Sequence, residues 1–278
     1  MTVKTLHIIG CGKVGRTLAR LWHEAGLFSI NGIVNRTENS AAKAVSFIGA
    51  GRAIATISAL PPADLVMIAS GDDQIESLCS ELAKTHSLDK TTVFHCSGAL
   101  SSSILKSAKQ SGALTASLHP VKSFADTADS VKTFAGTYCG MEGDKEALAI
   151  LEQALHKCGA KTFAISPQQK ILYHAANVLI CNDLTALMEI GFQCYERAGI
   201  PREFAVEITK PMVAETIHNI QTKGTACALT GSVARGDMQT FESHLQALKD
   251  WDSTYAGIYE QLGKIAMDLA QQQKRMAA

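Results

Sequence analysis

Residues 9–15 read Ile9-Gly10-Cys11-Gly12-Lys13-Val14-Gly15, a G-x-G-x-x-G turn set between two contrasting patterns. Upstream, Leu6 to Ile9 form a short apolar run of the buried-strand type; downstream, Val14, Leu18, Leu21 and Trp22 recur at helical spacing. Gly10 permits a tight turn and Gly12 lets the main chain approach a pyrophosphate. Gly15 lets helix pack on strand, which leaves the helix N-terminus facing the phosphates. Alone, three glycines mean no more than a turn. Closing a first strand and opening a helix, they predict a dinucleotide-binding βαβ unit, with Cys11, Lys13 and Val14 as further contacts in the loop.

The next strand, Ile30 to Val34, ends in Asn35-Arg36-Thr37. A cofactor with a free ribose 2′-hydroxyl is met there by Asp or Glu. No carboxylate stands here to repel a 2′-phosphate, and Arg36 carries a guanidinium suited to pairing with one. The pattern predicts NADP rather than NAD, held by Asn35, Arg36 and Thr37, with Ser40 and Lys43 as further donors. The plain alternative is an arginine solvated at a strand end.

At 278 residues the chain has room for two domains, and 46% hydrophobic content supplies their cores. Formal net charge is zero, which argues against nucleic acid or an anionic membrane as partner. No stretch reads as apolar over the ~18 residues that a membrane span needs. The N-terminus leads straight into the first strand, so no secretory signal is expected. Eight cysteines stand at 11, 79, 96, 139, 158, 181, 194 and 227 without C-x-x-C spacing or a His-rich tract. They read as small buried hydrophobes of a reduced, cytoplasmic protein, and no metal site is expected.

Strand and helix alternate through the first 165 residues. Strands are expected near Ala53, over Leu65 to Ala69, Thr92 to His95, Leu114 to Leu118, Thr137 to Met141 and Lys161 to Ile165, with helices between them. This alternation predicts an α/β, doubly wound, mainly parallel sheet. After Ile165 the pattern becomes helical throughout. Ser166-Pro167-Gln168-Gln169 reads as a capped helix start, with Ser at the N-cap, Pro first and Gln closing a capping box. Further helices are expected over Glu203 to Thr222, which Pro211 should kink or split, Met238 to Leu248, and Thr254 onward. The boundary is expected near Ser166: a dinucleotide-binding domain over 1–165 and an all-α domain over 166–278.

In an open α/β sheet, ligands bind beyond the carboxyl ends of the strands. Three such ends carry useful groups. Ser70-Gly71-Asp72-Asp73 follows the fourth strand, its Ser70 a cofactor contact and its aspartates more simply a helix start. Ser97 and Gly98 follow the fifth, Ser97 serving cofactor or substrate. His119, Lys122 and Ser123 follow the sixth. On the helix after the boundary, Lys170, His174 and Asn177 fall within about 60° on one face. A Lys partly removed from water has a lowered pKa and can supply the proton that hydride transfer to a carbonyl or imine requires. Lys170, His119 and His174 are the catalytic candidates; Ser97, Gly98, His119, Lys122, His174 and Asn177 are the substrate candidates. A wet helix face remains the bland reading.

These residues resemble the 3-hydroxyacid and 6-phosphogluconate dehydrogenase superfamily. More closely, the chain resembles a bacterial family with a Rossmann-like domain and a helical domain, provisionally named NADP oxidoreductase. The resemblance rests on the glycine turn with Asn35-Arg36-Thr37, His95-Cys96-Ser97-Gly98-Ala99-Leu100, Ser117-Leu118-His119-Pro120 with Phe124, Lys170 with Tyr173-His174-Ala175-Ala176, and Leu229-Thr230-Gly231 with Ala234-Arg235-Gly236-Asp237. It implies an N-terminal Rossmann-type sheet followed by an all-α domain that mediates a homodimer. It also implies a catalytic acid/base at Lys170 and an Arg235-Gly236-Asp237 turn near a partner's site. Where the superfamily places an Asn four residues after that Lys, this chain has His174. Its Ser-Gly-Gly after the sixth strand is replaced by His119-Pro120-Val121-Lys122-Ser123.

The expectation is a cytoplasmic, NADP-dependent oxidoreductase that passes hydride between nicotinamide and a small carbonyl, imine or hydroxyl substrate in an interdomain cleft. Imine reduction, as in pyrroline-5-carboxylate reductases, and exchange with a deazaflavin share the same front half. From a different class, an NADP-binding sensor or scaffold dimer without chemistry fits the same residues.

Overall fold

The computed structural model describes residues 3–277. Eight strands make one sheet: β1 (Lys4–Ile9), β2 (Phe28–Val34), β3 (Arg52–Ala53), β4 (Leu65–Ile68), β5 (Thr92–His95), β6 (Leu114–Pro120), β7 (Tyr138–Gly143) and β8 (Lys161–Ala164). Their order is β3-β2-β1-β4-β5-β6-β7-β8. Between them run α1 (Lys13–Glu24), α2 (Glu38–Ile48), α3 (Asp72–Thr85), α4 (Lys106–Gln110), α5 (Thr127–Lys132) and α6 (Lys145–Lys157). The N-terminal part is the expected doubly wound, Rossmann-like sheet.

The β4 strand reads as an unbroken apolar run, and β1 and β5 carry apolar centres, because helices cover both faces. Alternate residues feed two cores. Ile8, Met67 and Phe94 join Leu18 and Trp22 on one face, while Ile9, Val66, Ile68 and Val93 join Ile75, Cys79 and Leu82 on the other. Trp22 anchors the first core edge-on against Phe28 and Phe94, at ring separations of 5.3 and 6.1 Å. Cys11, Cys79 and Cys139 are buried as expected, whereas Cys181 and Cys227 are exposed.

All neighbouring strands are parallel except β6 and β7. Because β7 runs back against β6, it begins at the edge where the parallel strands end. His119 then pairs with Gly140, and Gly140 with Phe163, which puts the His119 and Phe163 rings in one row on either side of a bare Gly140.

The helical part contains α7 (Lys170–Val178), a π-turn at Leu179–Asp183, then α8 (Leu184–Arg197), α9 (Arg202–Lys223), α10 (Thr225–Ala228), α11 (Gly231–Arg235), α12 (Met238–Lys249) and α13 (Ser253–Ala277). Three expectations need correction. The chain divides into compact units at Asn182 and Asp183 rather than at Ser166, because α7 packs on the sheet through Lys170 and Tyr173. Ser166 does not cap a helix. Its Oγ donates to Gln168 Oε1 at 2.7 Å, Pro167–Gln169 is a 3₁₀ turn, and the α-helix proper starts at Lys170. Pro211 lies inside a continuous 22-residue helix. A proline removes one rung of the hydrogen-bond ladder, and here the turns on either side suffice to carry the helix through.

The second unit is tied within itself by the Arg202–Glu189 ion pair and by the Arg202 guanidinium over the Phe192 ring. The Phe241 and Tyr259 rings stack at 5.2 Å. Asp237 accepts from the amide of Thr240 as the N-cap of α12, which gives the Arg235-Gly236-Asp237 turn a local structural role. Its apolar burial is thin. Beyond Phe241 the buried hydrophobic side chains of this unit are alanines, while Phe204, Met212, Leu262 and Ile265 are exposed. The helical run Pro167–Arg197 is long enough, and at a mean hydropathy of 1.2 apolar enough, to pass a length-and-composition test for crossing a membrane. The expectation that no stretch reaches that threshold is corrected accordingly.

Candidate active site

The glycine loop follows β1 at the carboxyl edge. Gly10 adopts φ +77°, and a Cβ there would stand 2.7 Å from both Cβ and N of Ser70, so only glycine fits. Gly15 packs α1 against Ala69, 3.1 Å from a hypothetical Cβ. Gly12 differs: a Cβ would meet only Ala69 O, at 3.8 Å, so its bare surface faces open space. The first turn of α1 has no side-chain cap and no acidic residue. Its leading amides and the positive end of its dipole are therefore available to an anion. These features fit a dinucleotide pyrophosphate.

Asn35 braces this loop. Its Oδ1 accepts from the amide of Cys11 at 2.6 Å, which commits that oxygen to the protein rather than to a ribose. Arg36 is exposed on the loop leading into α2. Thr37 is the N-cap of α2 and accepts from Ser40 N. Lys13 donates to Ala125 O at 2.7 Å, and burial pushes the Cys11 thiol up to about 12. Ser70 lies directly behind Gly10; Asp72 and Asp73 open α3, as the simpler reading had it.

Two strands along, the turn after β5 is clamped by buried side chains. His95 Nδ1 receives the amide of Ser97 at 3.1 Å, and its Nε2 bonds the carbonyl of Ser101 at 3.1 Å. Desolvation lowers its pKa to about 4, so it is neutral and serves both bonds. Ser97 Oγ accepts from the amides of Ala99 and Leu100, so the hydroxyl expected to meet substrate has its lone pairs engaged inside the turn and keeps only its O–H to donate. Buried Glu142 takes the amide and hydroxyl of Ser102, at 2.6 and 2.7 Å.

Lys170 is only 1% exposed. Its Nζ donates to Ser97 O at 3.0 Å and to Ser117 Oγ. Burial lowers its pKa, opposed by the charge of Glu142. It therefore sits beneath the turn instead of on an open, wet helix face.

Above the turn, two imidazoles converge on Gly98. A Cβ there would lie 2.6 Å from His174 Nδ1 and 2.8 Å from His119 Nε2. The His119 and His174 rings meet edge-on at 5.7 Å. His119 Nδ1 is hydrogen-bonded to Tyr173 OH at 2.7 Å, and desolvation lowers its pKa to about 4. His174 Nδ1 is buried without a partner among the described residues. Asn177 and Lys122 do not join this cluster: Asn177 Nδ2 returns to Tyr173 O at 3.0 Å, and Lys122 Nζ donates to Thr133 O at 3.1 Å.

His95, Ser117 and Tyr173 entered the sequence reading only within strands and the stretches that carry the resemblance, with no role given to them, and Glu142 did not enter it. The Tyr173-His174 dipeptide carried a signal, since a phenol and an imidazole side by side at a helix start place both rings near one strand end. Glu142 and Ser117 carried none, being ordinary strand residues until β7 turns antiparallel. A separate surface cavity of about 540 Å³, lined by Ser101–Ser103, Lys106 and Lys109, has its lysines already paired with Glu76 and Asp144.

Loop and sheet together define a Rossmann-like domain carrying a polar cluster at its carboxyl edge. Residues 2–120 match the Rossmann-like domain family, and residues 137–266 match a domain of unknown function, DUF2520. Together the two matches span most of the chain. A crystal structure from Bacteroides fragilis, named a "putative NADP oxidoreductase", is similar over 95% of this chain and 98% of its own, at 18% identity and TM-score 0.78. A Thermotoga maritima protein is 26% identical over 97% of this chain and 99% of its own, with TM-score 0.74. A Plasmodium falciparum pyrroline carboxylate reductase with NADP bound shares the fold at 12% identity and TM-score 0.59, over the full length of both chains. No curated protein matches the chain.

Proposed function

We propose that this chain is an NADP-dependent oxidoreductase acting on a small carbonyl, imine or hydroxyl compound. One observation carries the reading: an uncapped α1 N-terminus behind a bare Gly12 shares the sheet edge with a neutral His119–Tyr173 pair and His174. Structures of similar fold named NADP oxidoreductase or solved with NADP support it. Bound there, a nicotinamide supplies or accepts hydride. The open amides at the start of α1, Lys13 to Gly15, hold the pyrophosphate as it passes over the glycine turn, and Arg36 with Thr37 meets the 2′-phosphate. His119 faces the substrate with Gly98 as its floor, and Lys170 fixes that floor by gripping Ser97. Titration with NADPH and NADH, followed by coenzyme oxidation against keto acids, aldehydes and cyclic imines, tests the reading. Tight NADPH binding with turnover sustains it; binding to neither coenzyme refutes it.

A second reading, an NADP-sensing dimer without chemistry, draws on Lys170 alone. The residue that the resemblance makes an acid/base has its ammonium sealed against Ser97 and Ser117. Tight binding with no turnover across the panel favours it. In either reading the assembly is a homodimer through the helical part, whose own apolar burial is thin while Phe204, Met212, Leu262 and Ile265 stay exposed.

A further inference from the structure

We propose that Tyr173 fixes the tautomer of His119, so that the site presents an outward Nε2–H and takes a substrate whose reacting heteroatom is a hydrogen-bond acceptor, a carbonyl oxygen or an imine nitrogen. This rests on the oxidoreductase reading and assigns it the reductive direction.

A neutral imidazole has one N–H and one bare nitrogen, and its partner decides which is which. His119 Nδ1 is 2.7 Å from Tyr173 OH. The phenol is the stronger acid of the two and the imidazole nitrogen the better acceptor, so the bond runs from O–H to Nδ1. Burial holds both groups in the forms this requires. His119 is lowered to about 4, and Tyr173 is raised to about 12 against the pull of the Asn177 amide. The ring hydrogen is thereby sent to Nε2. That nitrogen has no partner among the described residues and, unlike His174 Nδ1, is not cut off from solvent.

The surroundings hold the ring in place. The Tyr173 and Phe163 rings meet at 6.1 Å, and those of Tyr173 and His119 at 5.6 Å, both edge-on. Lys170 is the ammonium beneath the turn, and its bonds run to Ser97 and Ser117. The proton that a reduced substrate needs therefore comes from His119. As the heteroatom gains an electron pair, the Nε2–H bond breaks and an O–H or N–H bond forms on the substrate. The Tyr173 proton moves to Nδ1, leaving a neutral imidazole beside a phenolate; Nε2 then takes a proton from water and the Nδ1 proton returns to the phenolate, which restores the resting tautomer. An alcohol entering for oxidation would need a bare nitrogen at that place and finds a donor.

The test is nitrogen NMR on full-length protein with ¹⁵N-labelled histidine, His119 being assigned by the peak lost in His119→Gln. The inference expects the Nε2–H tautomer at pH 7, converted to a tautomer mixture in Tyr173→Phe. An Nδ1–H tautomer in the unaltered protein would overturn it, as would an unchanged spectrum in Tyr173→Phe, the result expected of mere packing. NADPH titration of the same samples separates the two claims. No coenzyme binding with the Nε2–H tautomer in place strikes the proposed function and the reductive role drawn from it, whereas coenzyme binding with the wrong tautomer strikes this inference alone.

Discussion

At the residue scale, charge and hydrogen bonding divide the work. Arg36 has no carboxylate beside it in the Asn35-Arg36-Thr37 run, so its guanidinium is free to meet a phosphate. A hydrogen bond to a charged group contributes about 1.5–3 kcal/mol. Arg36→Ala should therefore weaken NADPH binding roughly tenfold to a hundredfold and leave NADH nearly unchanged. Isothermal titration checks this, and equal losses for both coenzymes would contradict it. His95 and His119 make a second prediction. Their folded pKa values, near 4, lie below the unfolded value of about 6.5. Between those limits the unfolded chain binds more protons, so stability is full above about pH 6.5 and declines as pH falls towards 4. Thermal midpoints measured across that window should drop, and less steeply in His95→Gln. A flat profile would mean that these rings are not held neutral. The residue types of the site were legible in the sequence, but their roles were not. Ser97 and Asn177 each offered a polar group to substrate, and folding turned both groups onto nearby main chain.

At the element scale, the glycines separate folding from binding. A Cβ at Gly10 collides with Ser70 in a left-handed backbone, and one at Gly98 drives His119 and His174 apart. Gly98→Ala should lower the thermal midpoint and broaden both imidazole signals in NMR, while coenzyme titration stays near the unaltered value. Intact imidazole signals would show that the rings do not rest on that floor. The alternation of strand and helix could be read directly, because β4 is apolar throughout and Leu6, Ile8, Ile9, Val93 and Phe94 give β1 and β5 apolar centres, as burial on both faces requires. The site geometry could not. It depends on β7 running antiparallel, which aligns His119, Gly140 and Phe163, and periodicity carries no strand direction. The same blindness misplaced the start of α7, where Ser, Pro and Gln suggested a cap that the 3₁₀ turn does not make.

At the scale of the whole molecule, two units with different burial share one chain. The sheet unit has two deep cores, whereas the helical unit buries mostly alanine. The proposed homodimer would cover the exposed apolar side chains of this unit with a second copy. Sedimentation should give twice the chain mass at micromolar concentration, and Leu262→Glu with Ile265→Glu should reduce it to the monomer. A monomer from the unaltered chain would remove the dimer from the account. The boundary was read seventeen residues early in the sequence, because the change from alternation to helix comes after Ile165 while packing changes only after Asn182.

The central claim is that bare main chain at Gly12 receives a coenzyme's paired phosphates. A Cβ there touches nothing closer than Ala69 O, so Gly12→Ala should fold with an unchanged thermal midpoint. NADPH titrated calorimetrically should bind the unaltered protein and lose at least tenfold in affinity to Gly12→Ala. Equal affinity for both proteins, or no heat from either, would contradict the account.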